Sequence, residues 1–548
     1  MRPFLAALVA YTLTPALAQQ EARMPHRDVT LWVESSMVRV MPNALPGVVP
    51  EVPTARVSLA RGERESFQVV LRTGAGIALR NVRVQFSDLV ARQGLARLRE
   101  EHLQWHQVGY VRVVDAPVKG PAPVRWLDPG WYPDPLLPVE SCDIAETFTQ
   151  SLWVTVHAPP DQPPGLYSGT LTVQADGQPD HKVALLVTVR DFAIAPGAGH
   201  LRTAFSLQDG DIRALYGDDE AMVGRYRDYV LDELRLNPWN IWAPEPPPLT
   251  ELDRLRGHGY NLIPLCYLKD DREASDWPFA PSVQAAETQL HELLPTFEAL
   301  KARGLLQLGY IFGGDEVPRE PPERIAQVKE AFARVKAICP DIPLMTTAHI
   351  PQDVESLRSY HLDALCPMWD WGEFERLEGL RRAGLEMWSY ISLQPYPPFP
   401  NWRLDNDLIE ARTIFWQVYH QKFDAFLYWG LNIWSTPPQT GLVDPAAGPF
   451  LEWSITTDPG GEVLGWLHGD GRLLYPGQDG PIGSIRLANI RDGLEDYEYL
   501  WLLAEKLGDR EAARAACQPV GWDLDKATRS PRTLYRQREA IARRIMGQ

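Results

Sequence analysis

Between residues 29 and 194, apolar and polar positions alternate in short runs, the period of strands that bury one face. The runs 30–33, 66–71, 108–113, 152–157, 168–173 and 182–189 carry this alternation, and breaks such as Pro163-Pro164-Gly165 separate them. Short alternating strands with turn residues between them predict a β-sandwich over residues 28–196. The pattern fits a carbohydrate-binding module and a purely structural one equally well. From residue 201 the rhythm changes. Compact apolar segments at 203–207, 239–242, 262–268, 308–312, 344–347, 364–368, 386–392 and 425–429 now alternate with longer stretches. In the stretches 221–236, 282–303, 322–338 and 408–422, apolar residues recur every three or four positions, the helical period. Eight strand-and-helix repeats predict a (β/α)8 TIM barrel over residues 200–484. Residues 485–548 read as a C-terminal helical extension packed on the barrel, with 494–507 amphipathic and rich in acid.

Composition adds bounds to this picture. A chain of 548 residues exceeds what one hydrophobic core organises, which agrees with several domains. Its net charge of −17, with no basic stripe, argues against nucleic acid or an anionic membrane as partner. The first residues, Arg2 followed by an apolar run and then Ala16-Leu17-Ala18, have the pattern of a signal peptide over 1–18. Export to the periplasm or beyond follows as an expectation. No later segment is long and apolar enough to be an integral membrane span. The five cysteines are scattered, odd in number and without C-x-x-C or metal-ligand spacing, so they read as mostly buried thiols. No metal site is expected. Nineteen tryptophans suit both barrel packing and stacking on sugar rings, with the core taking most of them.

In a TIM barrel the active site lies at the C-terminal strand ends, which turns a strand count into a site list. The fourth segment ends in Gly313-Gly314-Asp315-Glu316. Two adjacent anions repel, so one carboxyl should hold its proton more tightly and could serve as a general acid. The same dipeptide before a Pro-rich stretch also looks like a helix N-cap with first-turn acids. The sixth segment ends in Trp369-Asp370, the seventh carries Trp388 and Tyr390, and the eighth runs through Trp429 to Asn432. Each aromatic alone fits the core, but together with Asn432 they make an aromatic and amide surface for a pyranose. Asp470, between two glycines, is either a plain turn residue or a group reaching a sugar hydroxyl.

Several of these stretches resemble glycoside hydrolase family 123 and its relatives. The resemblance is carried by Trp388-Ser389-Tyr390 with Pro397-Pro398-Phe399-Pro400-Asn401 and by 426–434. It extends through Gly469-Asp470-Gly471, Tyr475-Pro476-Gly477 and Ser484-Ile485-Arg486-Leu487 to the 491–500 stretch. Upstream, 132–138 and 62–68 are similar to that family's β-sandwich. Ser389, Ser392 and Leu393 depart from the more aromatic, Cys-containing run expected of relatives, and bear on the preferred sugar.

The resemblance implies an exo-acting, retaining β-N-acetylgalactosaminidase that needs no cofactor and acts on glycans with terminal β-GalNAc. It implies substrate-assisted chemistry, with Glu316 as general acid and base and Asp315 orienting the 2-acetamido group. That would explain why the acids are neighbours, whereas an ordinary retaining pair sits about 5–5.5 Å apart across the scissile bond. The implied catalytic residues are Asp315 and Glu316. The implied substrate-binding residues are Trp369, Asp370, Trp388, Tyr390, Asn401, Trp429, Asn432 and Asp470. Two alternatives remain at this stage. One is a glycosidase for a sugar without an acetamido group, with Asp370 as nucleophile, and the other is a non-catalytic sugar-binding protein on the same fold.

Overall fold

The computed structural model describes residues 29–47, 49–50, 52–113, 127–269, 281–317, 322–347, 357–371, 374–434, 441–454 and 468–548. The expected signal peptide lies outside them.

Two sheets face each other in the N-terminal part. In one, Thr30–Ser35, Arg64–Arg72, Thr149–His157 and Leu103–Val113 lie side by side, with Gly130–Leu137 paired to the last. In the other, Thr54–Arg61, His181–Ala193, Gly165–Gln174, Leu79–Phe86 and Cys142–Ile144 follow in order. On His181–Ala193 the alternation is clean: Val183, Leu185, Val187 and Val189 point into the sandwich and the residues between them point outward. Each such side chain, fully buried, contributes about 1.5–3 kcal/mol. Arg64–Arg72 and Thr149–His157 are instead buried along nearly their whole length, because the C-terminal helix covers their second face. Trp153 packs there with Val108, Ile485 and Ala488. A further strand, Phe450–Ser454, comes from far down the chain and pairs parallel to Leu103–Val113.

Among the described residues the second part is built on a parallel sheet of seven strands in the order Arg202–Phe205, Ala425–Tyr428, Glu386–Ile391, Ala364–Cys366, Leu344–Thr347, Gly309–Phe312, Ile263–Tyr267. Where eight strands were expected, the described residues form a nearly closed, barrel-like sheet of seven. Residues 239–242 lie between the two edges without forming a strand. The reason is local chemistry. Pro238 has no N–H to give, and side chains take over the ladder's partners. The Asn237 amide donates to the Thr203 carbonyl at 2.9 Å and accepts from the Asn261 N–H at 3.0 Å. The Ile241 N–H goes to Ser206 Oγ and the Trp242 N–H to Asn240 Oδ1. Backbone bonds from Leu207 to Trp239 and from Tyr267 to Ala243 tie the segment to each edge. Inside, Tyr310, Phe312, Met345, Cys366, Trp388 and Leu427 fill the barrel as a packed core.

The helix Ile485–Leu507 is the largest departure from the sequence reading. It is capped by Ser484, whose Oγ accepts from the Leu487 N–H, and stops at Gly508 in the left-handed region. It packs against the barrel helix Glu410–His420 and is also covered by the sandwich, which buries it on all sides from Ile485 to Leu500 where the pattern suggested one apolar face. At the crossing, a Cβ on Gly493 would come within 2.5 Å of Phe415 and 2.9 Å of the Arg412 carbonyl, so only glycine allows the approach.

The acids of this helix are not solvated. Burial, outweighing nearby arginines, pushes Asp492 up to about 7 and Glu495 up to about 8. An acid whose folded pKa is raised stabilises the fold fully below its unfolded pKa, near 4, and loses that contribution as pH rises through the folded value. Melting temperature is therefore expected to fall between pH 5 and pH 8.5. Glu495→Gln keeps the acceptor for the Arg64 N–H and should flatten that slope in thermal denaturation scans across the range. An unchanged slope in the variant would exclude Glu495 as its source.

Candidate active site

The strand Gly309–Phe312 delivers Asp315 and Glu316 to the C-terminal end of the barrel. A Cβ on Gly313 would stand 2.7 Å from the Phe332 ring of the next helix, so glycine is required where the chain leaves the strand. Glu316 has φ +47°, in the left-handed region, at a cost of about 1–3 kcal/mol for a non-glycine residue. Contacts from two other strands of the barrel hold it. The Glu316 N–H donates to Thr347 Oγ1 at 2.9 Å, and that hydroxyl donates to Asp315 Oδ1 at 2.5 Å. Thr346 Oγ1 donates to the Gly314 carbonyl at 2.6 Å. On the other side the Tyr390 hydroxyl donates to Glu316 Oε1 at 2.6 Å. Glu316 is only 7% exposed. The side chains of both acids turn to other strands of the barrel, Asp315 to Thr347 and Glu316 to Tyr390.

Burial, together with the Glu316 and Asp315 charges, raises the Tyr390 phenol well above its ordinary pKa. It stays protonated and acts as a donor. Burial and Asp315 likewise keep the nearby Cys366 thiol neutral. All five cysteines are free and buried. Among the described residues no group of three or more His, Cys, Asp or Glu is arranged to hold a metal ion, and no helix is long and apolar enough to cross a membrane.

Part-exposed aromatic residues surround the barrel's interior cluster. Trp242 stacks on Phe312 with centroids 5.2 Å apart, and Tyr267 meets both edge-on. Trp371 meets Tyr390 edge-on at 6.2 Å, and the Trp242 indole N–H reaches the Trp429 carbonyl at 3.4 Å. Trp242, Tyr267, Trp371 and Thr347 are absent from the sequence-derived site. Tyr267 and Thr347 are the last residues of their strands, so the strand-end rule, applied to every strand, would have found them.

Of the sequence-derived binding residues, Tyr390 lies directly on Glu316. Asp370 is half-buried in the turn after Ala364–Cys366, its carboxyl pushed up by burial, and its Oδ1 has no hydrogen-bond partner among the described residues. Trp369 turns the other way: its N–H bonds the Leu524 carbonyl at 2.8 Å and its ring packs on Phe423 and Phe426. Trp388, 1% exposed, plugs the barrel interior edge-on to Tyr310, with its N–H on Glu386 at the strand's start. Asn401 braces the loop after its strand through the Ser392 and Pro395 carbonyls. Asn432 clasps the Gln208 backbone with both ends of its amide.

Asp470 stands behind Trp429. Its two oxygens accept from the Tyr428 hydroxyl at 2.9 Å and the Trp429 N–H at 3.0 Å, and burial pushes its pKa up to about 6. A Cβ on Gly471 would come within 2.6 Å of the Trp429 ring, and Arg486 grips the Gly469 carbonyl at 2.8 Å. The Gly469-Asp470-Gly471 turn thus fixes the indole of Trp429, which is itself part-exposed.

Two family models match this chain: the catalytic domain of glycoside hydrolase 123 over residues 250–503, and the glycoside hydrolase 123 N-terminal domain over residues 51–175. Among solved structures, a family 123 glycoside hydrolase from Clostridium perfringens, studied for the details of glycolipid glycan hydrolysis, superposes with a TM-score of 0.66 at 12% identity. That alignment covers 95% of this chain and 98% of the other. A putative β-galactosidase from Bacteroides fragilis aligns over 73% of this chain and 56% of its own, at 12% identity and a TM-score of only 0.27. No curated protein matches the sequence. A sheet-rich N-terminal part joined to a parallel barrel with acids at its strand ends is the build of a glycoside hydrolase. The chain belongs to glycoside hydrolase family 123.

Proposed function

We propose that the protein is an exo-acting, retaining β-N-acetylgalactosaminidase that works with the substrate's own 2-acetamido group as nucleophile. The observation that carries this reading is the way the two neighbouring acids are held. Asp315 is tied to Thr347 and Glu316 to Tyr390, with a left-handed residue turning the second carboxylate away from the first. Adjacent acids cannot flank a glycosidic bond as acid and nucleophile. They can divide the labour on one side of it.

Glu316 gives its proton to the glycosidic oxygen as the bond to the anomeric carbon breaks. The acetamido carbonyl oxygen attacks that carbon and forms an oxazolinium ion, while Asp315 accepts the acetamido N–H and offsets the growing positive charge. Glu316, now a carboxylate, takes a proton from water as the water attacks the anomeric carbon and reopens the ring. Two inversions leave the β configuration. The Clostridium relative's work on glycolipid glycans supports a glycolipid glycan as the kind of substrate, and the N-terminal signal pattern supports an exported enzyme.

A panel of p-nitrophenyl glycosides tests the assignment. The expected result is release from the β-GalNAc substrate, with retention seen by NMR and inhibition by a GalNAc-thiazoline. Hydrolysis confined to sugars without a 2-acetamido group would overturn it. That outcome would favour Asp370 as nucleophile, the reading for which its half-buried, unpartnered oxygen speaks.

A further inference from the structure

We infer that Thr347 is a positioning residue for the reaction, acting through both acids at once; the inference rests on the function proposed above. The Thr347 side chain is 2% exposed at the end of the strand Leu344–Thr347. A hydroxyl has one proton to give. Because Thr347 Oγ1 accepts the Glu316 N–H at 2.9 Å, that proton is directed to Asp315 Oδ1 at 2.5 Å.

The consequences for the two acids differ. Asp315 Oδ1 acts as an acceptor, so the bond favours the carboxylate that must receive the acetamido N–H. Glu316 has its backbone amide fixed, which holds the left-handed turn and the direction in which its carboxyl reaches Tyr390. One side chain from the adjacent strand thus sets the charge of one acid and the aim of the other. Neither effect is available from the Asp315-Glu316 segment alone, since its own backbone at φ +47° is the strained part.

Thr347→Val keeps the branched shape and removes both bonds. On p-nitrophenyl β-GalNAc it is expected to lower kcat about 10- to 100-fold, the usual worth of a hydrogen bond to a charged group. KM should change little. The acid limb of kcat/KM should move to higher pH, because Asp315 loses a donor that favours its ionised form. Thr347→Ser, which keeps the hydroxyl, should restore most of the rate and return the limb to its place.

A role limited to holding the strand end would lower the melting temperature without moving the acid limb. If Thr347→Val fails to fold, Thr347→Cys fills nearly the same space with a poor donor and carries the same expectation. Wild-type kcat and an unmoved acid limb in a folded variant would overturn the inference. Asp315→Asn, assayed alongside, keeps the two claims separate. An inactive Asp315→Asn with an unimpaired Thr347→Val defeats only the role of Thr347, whereas a fully active Asp315→Asn defeats the mechanism itself.

Discussion

Glu316→Gln is expected to lower kcat on p-nitrophenyl β-GalNAc by about 10²–10⁴-fold, the usual contribution of a positioned general acid and base. Glutamine keeps the length of the side chain and an amide oxygen that can accept the Tyr390 hydroxyl, so the left-handed turn and the packing around it should survive. What is lost is the proton itself. The deficit should therefore depend on the leaving group. A dinitrophenolate departs without protonation, so formation of the oxazolinium should suffer far less with that aglycone than with an alkyl one. Steady-state kinetics on two aglycones of different pKa, with the melting temperature as a control for folding, read this directly. A folded Glu316→Gln enzyme with wild-type turnover on both would remove Glu316 from the chemistry.

The pair was legible in the sequence because a strand followed by two glycines and two acids is a local pattern, and the barrel rule places its end at the mouth. The residues that orient the pair come from other strands, and local pattern can place them at strand ends but cannot show that they touch the pair: Thr347 is 31 residues downstream of Glu316 and Tyr390 is 74. Trp388 shows a different limit. It shares a strand face with Tyr390, two residues on, and two residues of strand span roughly 7 Å. One aromatic therefore reaches Glu316 and the other lies deep in the barrel on Tyr310. Apolar runs identified seven strands to within a few residues, whereas at 239–242 asparagine, serine and proline chemistry overrode an equally apolar segment. The helix Ile485–Leu507 misled for the opposite reason, since an acid-rich face that meets water and one that meets buried arginines have the same sequence pattern.

Those arginines make the second large prediction: Arg412→Met should destabilise the protein by about 3–5 kcal/mol, the cost of leaving buried charges without their partner. Arg412 sits on the helix Glu410–His420 with 0% exposure. Its guanidinium donates to both oxygens of Glu65, on the sandwich strand Arg64–Arg72, at 2.9 Å each. It also donates to both oxygens of Asp496, on the C-terminal helix, at 2.8 and 2.9 Å, and lies 3.5 Å from Asp492. One cation thus joins all three parts of the chain. Methionine fills the space and leaves Glu65, Asp492 and Asp496 one cation short in the interior, with Arg538 and Arg491 still beside them. Arg412→Lys should rescue little, because a point charge cannot make two bidentate contacts. Stranded carboxylates can be relieved by taking up protons, so the loss measured by denaturant or thermal unfolding should be larger at pH 8 than at pH 5. A melting temperature for Arg412→Met equal to wild type at both pH values would show that the ion pairs of Arg412 contribute nothing to joining the sandwich to the barrel.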